Sequence, residues 1–166
     1  SRWVAAQADC LIAPTAKVRR LLLDYDVACP VFVVPSGIDL GPFSSEPDPL
    51  RQAVLRQSMN IPRENLILVN VGRLAGEKNI EELLRFRAGL GDAPVTLLLV
   101  GDGPDRLRLE GAAGGLGLSA PAVVFAGMVP PAQVADWYQL GDLFVSASTS
   151  ETQGLTYIEA LAAGVP

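Results

Sequence analysis

Short apolar runs alternate with amphipathic segments along most of the chain. From residue 66 onward the alternation is regular, because each apolar run is followed by one stretch with helical spacing. The pattern predicts strands at residues 66–71, 95–100, 123–126 and 143–147, and helices at residues 80–90, 105–113, 130–140 and 154–163. Runs that are apolar on both faces and separated by single helices indicate parallel pairing. The sequence therefore predicts an α/β fold with a doubly wound parallel sheet.

The ends of the predicted helices carry signals of their own. Asn79 precedes the first of them as a possible N-cap, and Gly114 and Gly115 are expected to end the second. Pro130 stands at the start of the third, where proline is tolerated. Gly164 is expected to end the last helix.

The first 60 residues follow a looser version of the same pattern. It predicts strands at residues 9–13 and 31–34, a helix at residues 16–25 capped by Thr15, and a further helix at residues 50–59. Residues 36–49 are rich in Pro, Gly and Ser, which is typical of an inter-domain linker. We expect residues 1–46 to hold the end of one domain with a crossing segment, and residues 47–166 to form a second domain. Both ends of the chain are expected to lie within a longer protein.

Composition narrows the chemistry that the chain can perform. The 166 residues include 18 acidic and 13 basic side chains, a net charge of −5, which argues against general nucleic-acid binding because such binding needs a cationic surface. Histidine is absent, which excludes within this chain a Ser-His-Asp triad, a Cys-His dyad and a His-ligated metal site. The two cysteines make no disulfide framework and are expected to be reduced. No apolar run approaches the ~20 residues of a transmembrane helix.

Candidate chemistry lies directly after the strands, because ligands of parallel α/β sheets bind beyond the carboxyl ends of the strands. The first regular strand runs into Gly72-Arg73, and Lys78 follows five positions later at the mouth of a helix. Glycine permits a tight loop, and an Arg, a Lys and helix N–H groups together form an anion site. The same residues also fit a solvated loop with incidental charges, and both interpretations stay open.

The next two strands end in loops with weaker signals. Gly101-Asp102-Gly103-Pro104 is a good turn without any ligand, although Gly103 could also contact one. Met128 and Val129, after the third strand, could line a base pocket or simply connect the strand to the next helix. The glycines do not form the G-x-G-x-x-G dinucleotide fingerprint, since position 106 is an arginine.

Small polar residues follow the fourth strand and run into the last helix, which again favours an anion at the helix N-terminus. Glu151 lies at this entrance, and Glu159 lies on the helix ~7–8 Å beyond Gly154. A ligand with phosphates at the helix start could reach both carboxylates. The helix also has an apolar stripe, which predicts a buried face that Glu159 borders: Leu155, Ile158 and Leu161. Alternatively, Glu151 only complements the helix dipole and Glu159 is a solvated charge.

Four segments stand in order along the chain. They are Val-Pro-Ser-Gly-Ile-Asp at 34–39, Val-Gly-Arg-Leu at 71–74 with Glu-Lys-Asn at 77–79, Val-Gly-Asp-Gly-Pro at 100–104, and Ser-Glu-Thr-Gln-Gly-Leu at 150–155 with Glu-Ala-Leu-Ala-Ala-Gly-Val-Pro at 159–166. As an ordered set they resemble the C-terminal half of the retaining GT-B-fold glycosyltransferases of family 4. Residues 150–159 resemble in particular the bacterial diacylglycerol glucosyltransferases. The resemblance implies a Rossmann-like parallel sheet with helices on both faces, and makes residues 47–166 the donor-binding domain.

The resemblance implies a role for each matched residue. Arg73 and Lys78 would clamp the donor diphosphate, and Glu151 would contact the hydroxyls of the transferred sugar. These three form the implied catalytic set, and Glu159 would bind the donor ribose. The other implied donor contacts come from the loops after the strands and from backbone N–H groups at the start of the last helix: Gly72, Gly103, Met128, Val129, Gln153, Gly154 and Leu155.

The implied reaction is a retaining transfer of a hexosyl group from a nucleotide-diphosphate sugar, with UDP-glucose as the expected donor, to a lipid or saccharide acceptor. No metal or cofactor is implied, because fixed cations and a helix N-terminus stabilise the charge on the departing diphosphate. The family's acceptor-binding domain and its catalytic histidine lie outside this sequence, so we expect the chain alone to bind the donor weakly and not to turn over. A cytoplasmic location is implied, with peripheral contact to the inner face of the membrane in the full-length protein, and no nucleic-acid partner.

Two other classes of function stay open. One is a non-catalytic nucleotide-binding or regulatory module of the same fold, which nucleotide binding without sugar dependence would favour. The other is an inert α/β interaction domain in which Arg73 and Lys78 form surface salt bridges. Within the transferase interpretation, guanine with mannose is an alternative to uracil with glucose.

Overall fold

The computed structural model describes residues 2–166, and Ser1, the first residue of the predicted crossing segment, lies outside them. The chain divides into two compact units. The smaller unit holds the residues up to Asp39 together with Glu151–Leu155, and the larger unit holds Leu40–Ser150 and Thr156–Pro166. The predicted domain division at residues 46 and 47 stays a prediction.

The smaller unit is built on two parallel strands joined by a helix. Its elements are helix α1 (Arg2–Ala5), strand β1 (Leu11–Ala13), helix α2 (Ala16–Asp24) and strand β2 (Val31–Val33). Thr15 caps α2 as predicted, because its hydroxyl accepts a hydrogen bond from the Val18 amide at 3.2 Å. The predicted strands and helix of this region are thus present, each with slightly shorter bounds.

The larger unit contains a four-stranded parallel sheet in the order β5-β4-β3-β6. Its elements are helix α3 (Pro49–Ser58), strand β3 (Leu66–Val71), helix α4 (Ile80–Gly89), strand β4 (Val95–Val100), helix α5 (Arg106–Gly115), strand β5 (Val123–Gly127), helix α6 (Val134–Gln139), strand β6 (Leu143–Phe144) and, from Thr156 onward, helix α7 (Leu155–Ala162). The predicted parallel α/β fold is confirmed. Because β6 lies on the opposite side of β3 from β4, the sheet has a topological switch point between β3 and β6.

The sheet buries both of its faces, as the apolar runs predicted. Leu68, Leu97 and Leu99 point into one cluster with residues of α4 and α5. Ile67 and Leu98, their neighbours in sequence, point into a second cluster with Trp137 and Leu140 of the α6 region. This alternation places one core on each side of the strands, which fixes the carboxyl edge of the sheet between two packed layers.

Strand β6 is shorter than the predicted 143–147. The Val145 amide donates to the Val69 carbonyl at 2.9 Å, as a continuing ladder requires. The Val145 carbonyl instead accepts from the buried side-chain amide of Asn70 at 2.7 Å. The one polar side chain in the apolar run of β3 therefore takes the place of the next backbone hydrogen bond, and the strand ends at Phe144.

Three predicted helix ends also differ. Asn79 stands before α4 in a left-handed conformation and makes no side-chain capping bond. Helix α5 continues through Gly114 and Gly115 because buried Ala113 anchors its last turn, and the left-handed residue that follows is Gly117. The predicted helix 130–140 is a short helical turn, Pro131–Gln133, followed by α6.

None of the helices between residues 2 and 166 combines the length and the apolar character needed to cross a membrane.

Candidate functional site

A cavity of about 530 Å³ opens at the carboxyl edge of the larger unit's sheet. Its walls are the last residues of β3 and β4 and the loops that follow β3, β4 and β5. The structure brings five of the predicted site residues together here: Gly72, Arg73, Gly103, Met128 and Val129. Sequence analysis assigned no role to the other lining residues, which are Val71, Val100, Gly101, Asp102 and Val134.

Backbone hydrogen bonds connect the three loops of the cavity. They run from Gly72 N to Val100 O at 2.9 Å, from Leu74 N to Asp102 O at 3.0 Å, and from Gly101 N to Gly127 O at 2.8 Å. A Cβ at Gly101 would collide with the Gly72 carbonyl, and a Cβ at Gly103 would collide with the Leu74 backbone. The glycines of this turn therefore permit the close approach of two loops, which is a structural role in addition to any contact with a ligand.

Asp102 links the cavity wall to helix α5. Its carboxylate accepts a hydrogen bond from the Gly103 amide at 2.7 Å and pairs with the Arg106 guanidinium at 3.4 Å. Arg106 also pairs with Glu110 at 2.9 Å, and these carboxylates, Glu110 first, raise the pKa of its guanidinium. Arg106 thus holds the turn that lines the cavity, although the sequence marked it only as a departure from the dinucleotide fingerprint.

Arg73 forms an ion pair with Glu77 at the edge of the cavity. Its guanidinium lies 2.5 Å from the carboxylate of Glu77, four positions along the chain, and its side chain is 66% exposed. A hydrogen bond from the backbone N–H of Glu77 and the Arg73 guanidinium lower the pKa of Glu77. Because exposed ion pairs contribute only about 0–1 kcal/mol, an anion can displace Glu77 from Arg73 at little cost.

Lys78 lies in the helical turn Gly76–Lys78, which is tied to the segment after β6. The Glu77 carbonyl accepts hydrogen bonds from the Thr149 amide at 3.1 Å and from the Ser148 and Thr149 hydroxyls, each at 3.3 Å. This turn therefore spans the switch point between β3 and β6, where the sheet topology favours ligand binding. Nothing in the sequence marked Glu77 as the residue that makes this connection.

Four predicted residues belong to the smaller unit: Glu151, Gln153, Gly154 and Leu155. The Glu151 carbonyl accepts a hydrogen bond from the Lys17 ammonium at 3.3 Å. The Gln153 side chain accepts from the Ser36 amide and donates to the Ser36 carbonyl, both at 3.3 Å. Gly154 has a φ of +67°, and α7 begins at the next residue, Leu155. The Gln153 side chain is thus engaged by Ser36, which leaves the predicted phosphate contact to backbone N–H groups.

Glu159 lies half-buried on α7, as predicted, and Tyr138 of α6 donates its phenol hydrogen to Glu159 Oε2 at 2.7 Å. The predicted apolar stripe was wrong, because Ala160 is the buried residue of α7 whereas Ile158 and Leu161 are 38% and 69% exposed. The helix packs on its small side chain, which allows a closer approach than a leucine would. The contact that holds Glu159 is therefore polar, and no periodic signal in the sequence could reveal it.

The chemistry available at the cavity is of two kinds. Its lining is mainly valine, methionine and glycine, which suits a flat apolar group whose polar edge bonds to backbone atoms. Arg73 adds a cation at one wall. In residues 2–166 we find no cluster of three or more His, Cys, Asp or Glu side chains that could hold a metal ion.

Comparison with known proteins gives consistent results. The family model described as glycosyl transferases group 1 matches residues 52–166. The alpha-monoglucosyldiacylglycerol synthase of Streptococcus pneumoniae is 39% identical over 162 residues, which cover 95% of this chain and 36% of that protein. The protein of the same name from Acholeplasma laidlawii is 34% identical over 158 residues, covering 93% and 39%. The chain thus spans less than half the length of the curated relatives it matches.

Solved structures share the fold. Sucrose-phosphate synthase from Thermosynechococcus elongatus is 32% identical with a TM-score of 0.75, over 96% of this chain and 40% of that one. Anabaena HepE, solved in complex with UDP and glucose, has a TM-score of 0.78 over 96% of this chain and 43% of that one. Its 22% identity makes it evidence for the fold alone, which is of the GT-B type. Since the family model covers more than half of its residues, the chain belongs to the glycosyl transferases group 1 family.

Proposed function

We propose that this chain is the donor-binding part of a hexosyltransferase, which transfers a hexosyl group with retention from a nucleotide-diphosphate sugar to a lipid or saccharide acceptor. UDP-glucose is the proposed donor. The observation that carries the proposal is the cavity at the carboxyl edge of the sheet, because residues chosen from the sequence as donor contacts line it together. Membership of the glycosyl transferases group 1 family supports the same activity.

The base of the donor would occupy the cavity. Met128 and Val129 form one wall, and Gly72 and Gly103 bring backbone atoms close to the ligand. Since the loops are fixed to one another by backbone hydrogen bonds, the cavity needs no rearrangement to accept a flat ring. A preformed apolar pocket of this kind keeps the entropic cost of binding low.

The diphosphate would lie against Arg73 and Lys78. Breaking the anomeric bond places negative charge on the departing nucleoside diphosphate, and fixed cations stabilise that charge as it forms. Arg73 can grip two phosphate oxygens with its planar guanidinium once Glu77 is displaced, whereas Lys78 acts as a point charge. Backbone N–H groups of Gln153, Gly154 and Leu155 at the start of α7 would add further donors to the phosphates. In this proposal, the two cations and the backbone N–H groups would stabilise the leaving group without a metal ion.

The two carboxylates would contact the hydroxyl groups of the donor. An ionised carboxylate only accepts hydrogen bonds, so Glu151 and Glu159 suit sugar hydroxyls and repel phosphate. We assign the ribose to Glu159 and the transferred hexose to Glu151. This leaves the phosphates to the cations, which agrees with the sign of each charge.

The names of the relatives support the sugar and the stereochemistry. Alpha-monoglucosyldiacylglycerol synthase denotes an α-glucosyl product on a diacylglycerol. Since the glucosyl group of UDP-glucose is itself α-linked, such a product implies net retention. By the same likeness, the proposed acceptor is a lipid, and the whole protein would work at the inner face of the membrane. Residues beyond this chain would bind the acceptor, so the chain alone would not turn over.

Calorimetric titration with UDP, UDP-glucose and GDP-mannose tests the proposal. We expect the wild-type chain to bind UDP and UDP-glucose, and Arg73→Ala/Lys78→Ala to lose roughly tenfold or more in affinity, since charge-assisted bonds contribute about 1.5–3 kcal/mol each. Uridine, which has no phosphate, should bind both proteins equally. The matched control is Arg20→Ala/Arg63→Ala. It also removes two positive charges, but from other exposed positions, and it should bind UDP as the wild type does.

The titration also decides between the donors. A relative 33% identical is named a GDP-mannose-dependent mannosyltransferase, so a preference for GDP-mannose would replace the proposed donor and keep the proposed activity. If the chain binds UDP-glucose no more tightly than it binds UDP, a nucleotide-binding module without transferase activity would be favoured. No binding to any nucleotide would contradict the assignment of the cavity.

A further inference from the structure

Tyr138 is the largest side chain that the larger unit buries completely, and it is the one that holds Glu159. Its relative exposure is 0%, and its hydroxyl donates to Glu159 Oε2 at 2.7 Å. Tyr138 lies on α6 and Glu159 on α7, so the hydrogen bond joins two helices. The two residues are 21 positions apart in the sequence. A buried hydroxyl aimed at a half-buried carboxylate is more than packing requires, because phenylalanine would fill the same space.

Aromatic packing fixes the direction of the phenol. The Phe43 ring meets the Tyr138 ring edge-on at 5.9 Å between centroids, and the Phe144 ring lies at the same distance at an angle of 45°. With rings on two sides and no exposed surface, the phenol has one direction in which to donate its hydrogen. Burial, followed by the hydrogen bond to Glu159, raises the pKa of Tyr138 well above its usual range, so the hydroxyl stays a donor at every physiological pH.

We infer that Tyr138 is a positioning residue that fixes the Glu159 carboxylate for the ribose of the nucleotide-sugar donor. The inference rests on the proposed function and adds to it the residue that sets the geometry of the ribose contact. One carboxylate oxygen, Oε2, is taken by the phenol, which turns the plane of the carboxylate to a set orientation. A carboxylate accepts at both oxygens, so Oε1 can receive a hydroxyl of the ligand.

The chemistry of this arrangement selects what Glu159 can bind. An ionised carboxylate that already accepts one hydrogen bond can take only another donor, which excludes a phosphate oxygen and suits a neutral hydroxyl. Fixing the carboxylate in advance means that the ligand does not have to pay the entropic cost of ordering that side chain on binding. The effect of Tyr138 should therefore depend on the presence of ribose hydroxyls.

The test compares UDP with 2′-deoxy-UDP and 3′-deoxy-UDP on the wild-type chain and on Tyr138→Phe. We expect Tyr138→Phe to bind UDP about three- to tenfold more weakly, the size of one lost hydrogen bond. We also expect it to bind at least one deoxy nucleotide as well as the wild type does, so that the preference for the ribose hydroxyl shrinks. The matched control is Tyr157→Phe, which removes a phenol hydroxyl from the same aromatic cluster, where Tyr157 packs on Phe144 with 5.4 Å between ring centroids. This control should leave both affinities unchanged.

Each outcome has one meaning. An equal loss for UDP and for both deoxy nucleotides would mean that Tyr138 only supports the fold, and it would overturn the inference. Unchanged UDP binding by Tyr138→Phe, with wild-type binding intact, would also overturn it and leave the proposed function standing. If the wild-type chain binds no nucleotide, the proposed function fails and the inference fails with it. Glu159→Gln provides a second variant, and the effect of Tyr138→Phe should largely disappear in that background if the two residues act together.

Discussion

Two regions at the carboxyl edge of the sheet are held by different interactions: the loops after β3, β4 and β5, which wall the cavity, and residues 73–78, which carry the two cations. Backbone hydrogen bonds and the close approach of Gly101 to the Gly72 carbonyl fix the cavity loops. The Arg73 side chain is instead held by an exposed ion pair with Glu77. The first kind of contact cannot change without moving the sheet, whereas the second exchanges partners easily. In the proposed function, the base pocket would therefore be preformed, and the contact of Arg73 with the diphosphate would form on binding.

The buried pair of Tyr138 with Glu159 stands between these two cases. It is a side-chain contact like Arg73 with Glu77, but the phenol is fully enclosed. Burial makes such a hydrogen bond costly to break, because the group left behind has no water to replace its partner. We therefore expect effects of three different sizes when the backbone contact at Gly101, the buried hydrogen bond of Tyr138 and the exposed ion pair of Arg73 are each removed or altered.

The largest effect is expected at the backbone contact. Gly101 has a φ of +132°, and a Cβ there would meet the Gly72 carbonyl, so Gly101→Ala should lower the free energy of unfolding by about 3 kcal/mol. Thermal or urea unfolding measures the change. Gly111→Ala is the control, because a Cβ at that helical position meets nothing within 4 Å and should raise stability by about 0.5–1 kcal/mol. Equal stability of the two variants would contradict the account of the cavity loops.

A smaller effect is expected at high pH from the buried tyrosine. The pKa of Tyr138 is raised in the folded state by burial and then by Glu159, so its contribution to stability is fully present below the unfolded value of about 10 and is lost as pH rises beyond it. Between pH 10 and 11 the wild type should lose up to about 1 kcal/mol that Tyr138→Phe keeps. Urea unfolding at each pH gives the comparison, and parallel losses in the two proteins would show that Tyr138 ionises without unfolding.

The smallest effect is expected at the exposed pair. Glu77→Gln leaves Arg73 without its carboxylate partner and should strengthen UDP binding about two- to fivefold at low salt, in line with the small worth of an exposed ion pair. The gain should fade as salt is added, since salt screens exposed charges. Calorimetry at two ionic strengths is the measurement. Weaker binding by Glu77→Gln would mean that Glu77 positions Arg73 for the ligand instead of competing with it.

The sequence predicted the parts of the fold that periodicity controls. Strands β3 and β4 match their predicted bounds because each is apolar on both faces and buried between two layers. The cavity residues were found because ligands of parallel sheets bind after the strands, and Gly72, Arg73 and Met128 stand there.

The sequence did not predict the contacts that single side chains make. The shortening of β6 follows from one bond of Asn70 to the Val145 carbonyl, and the hold on Glu159 follows from one phenol, Tyr138. Helix α7 was predicted to bury its large apolar residues, but it packs on Ala160 instead. Such contacts join residues distant in the chain, and no local pattern encodes which pairs will meet.

Titration of the ¹⁵N-labelled chain with uridine and then with UDP, followed by NMR, tests the central claim most directly. We expect uridine to shift the amide signals of four residues in the cavity loops, Gly72, Gly103, Met128 and Val129. We expect Arg73 and Lys78 to respond only when the diphosphate is present. Shifts of Arg73 and Lys78 with UDP while the cavity amides stay unchanged would show that the nucleoside binds elsewhere. That result would contradict the assignment of the cavity to the donor.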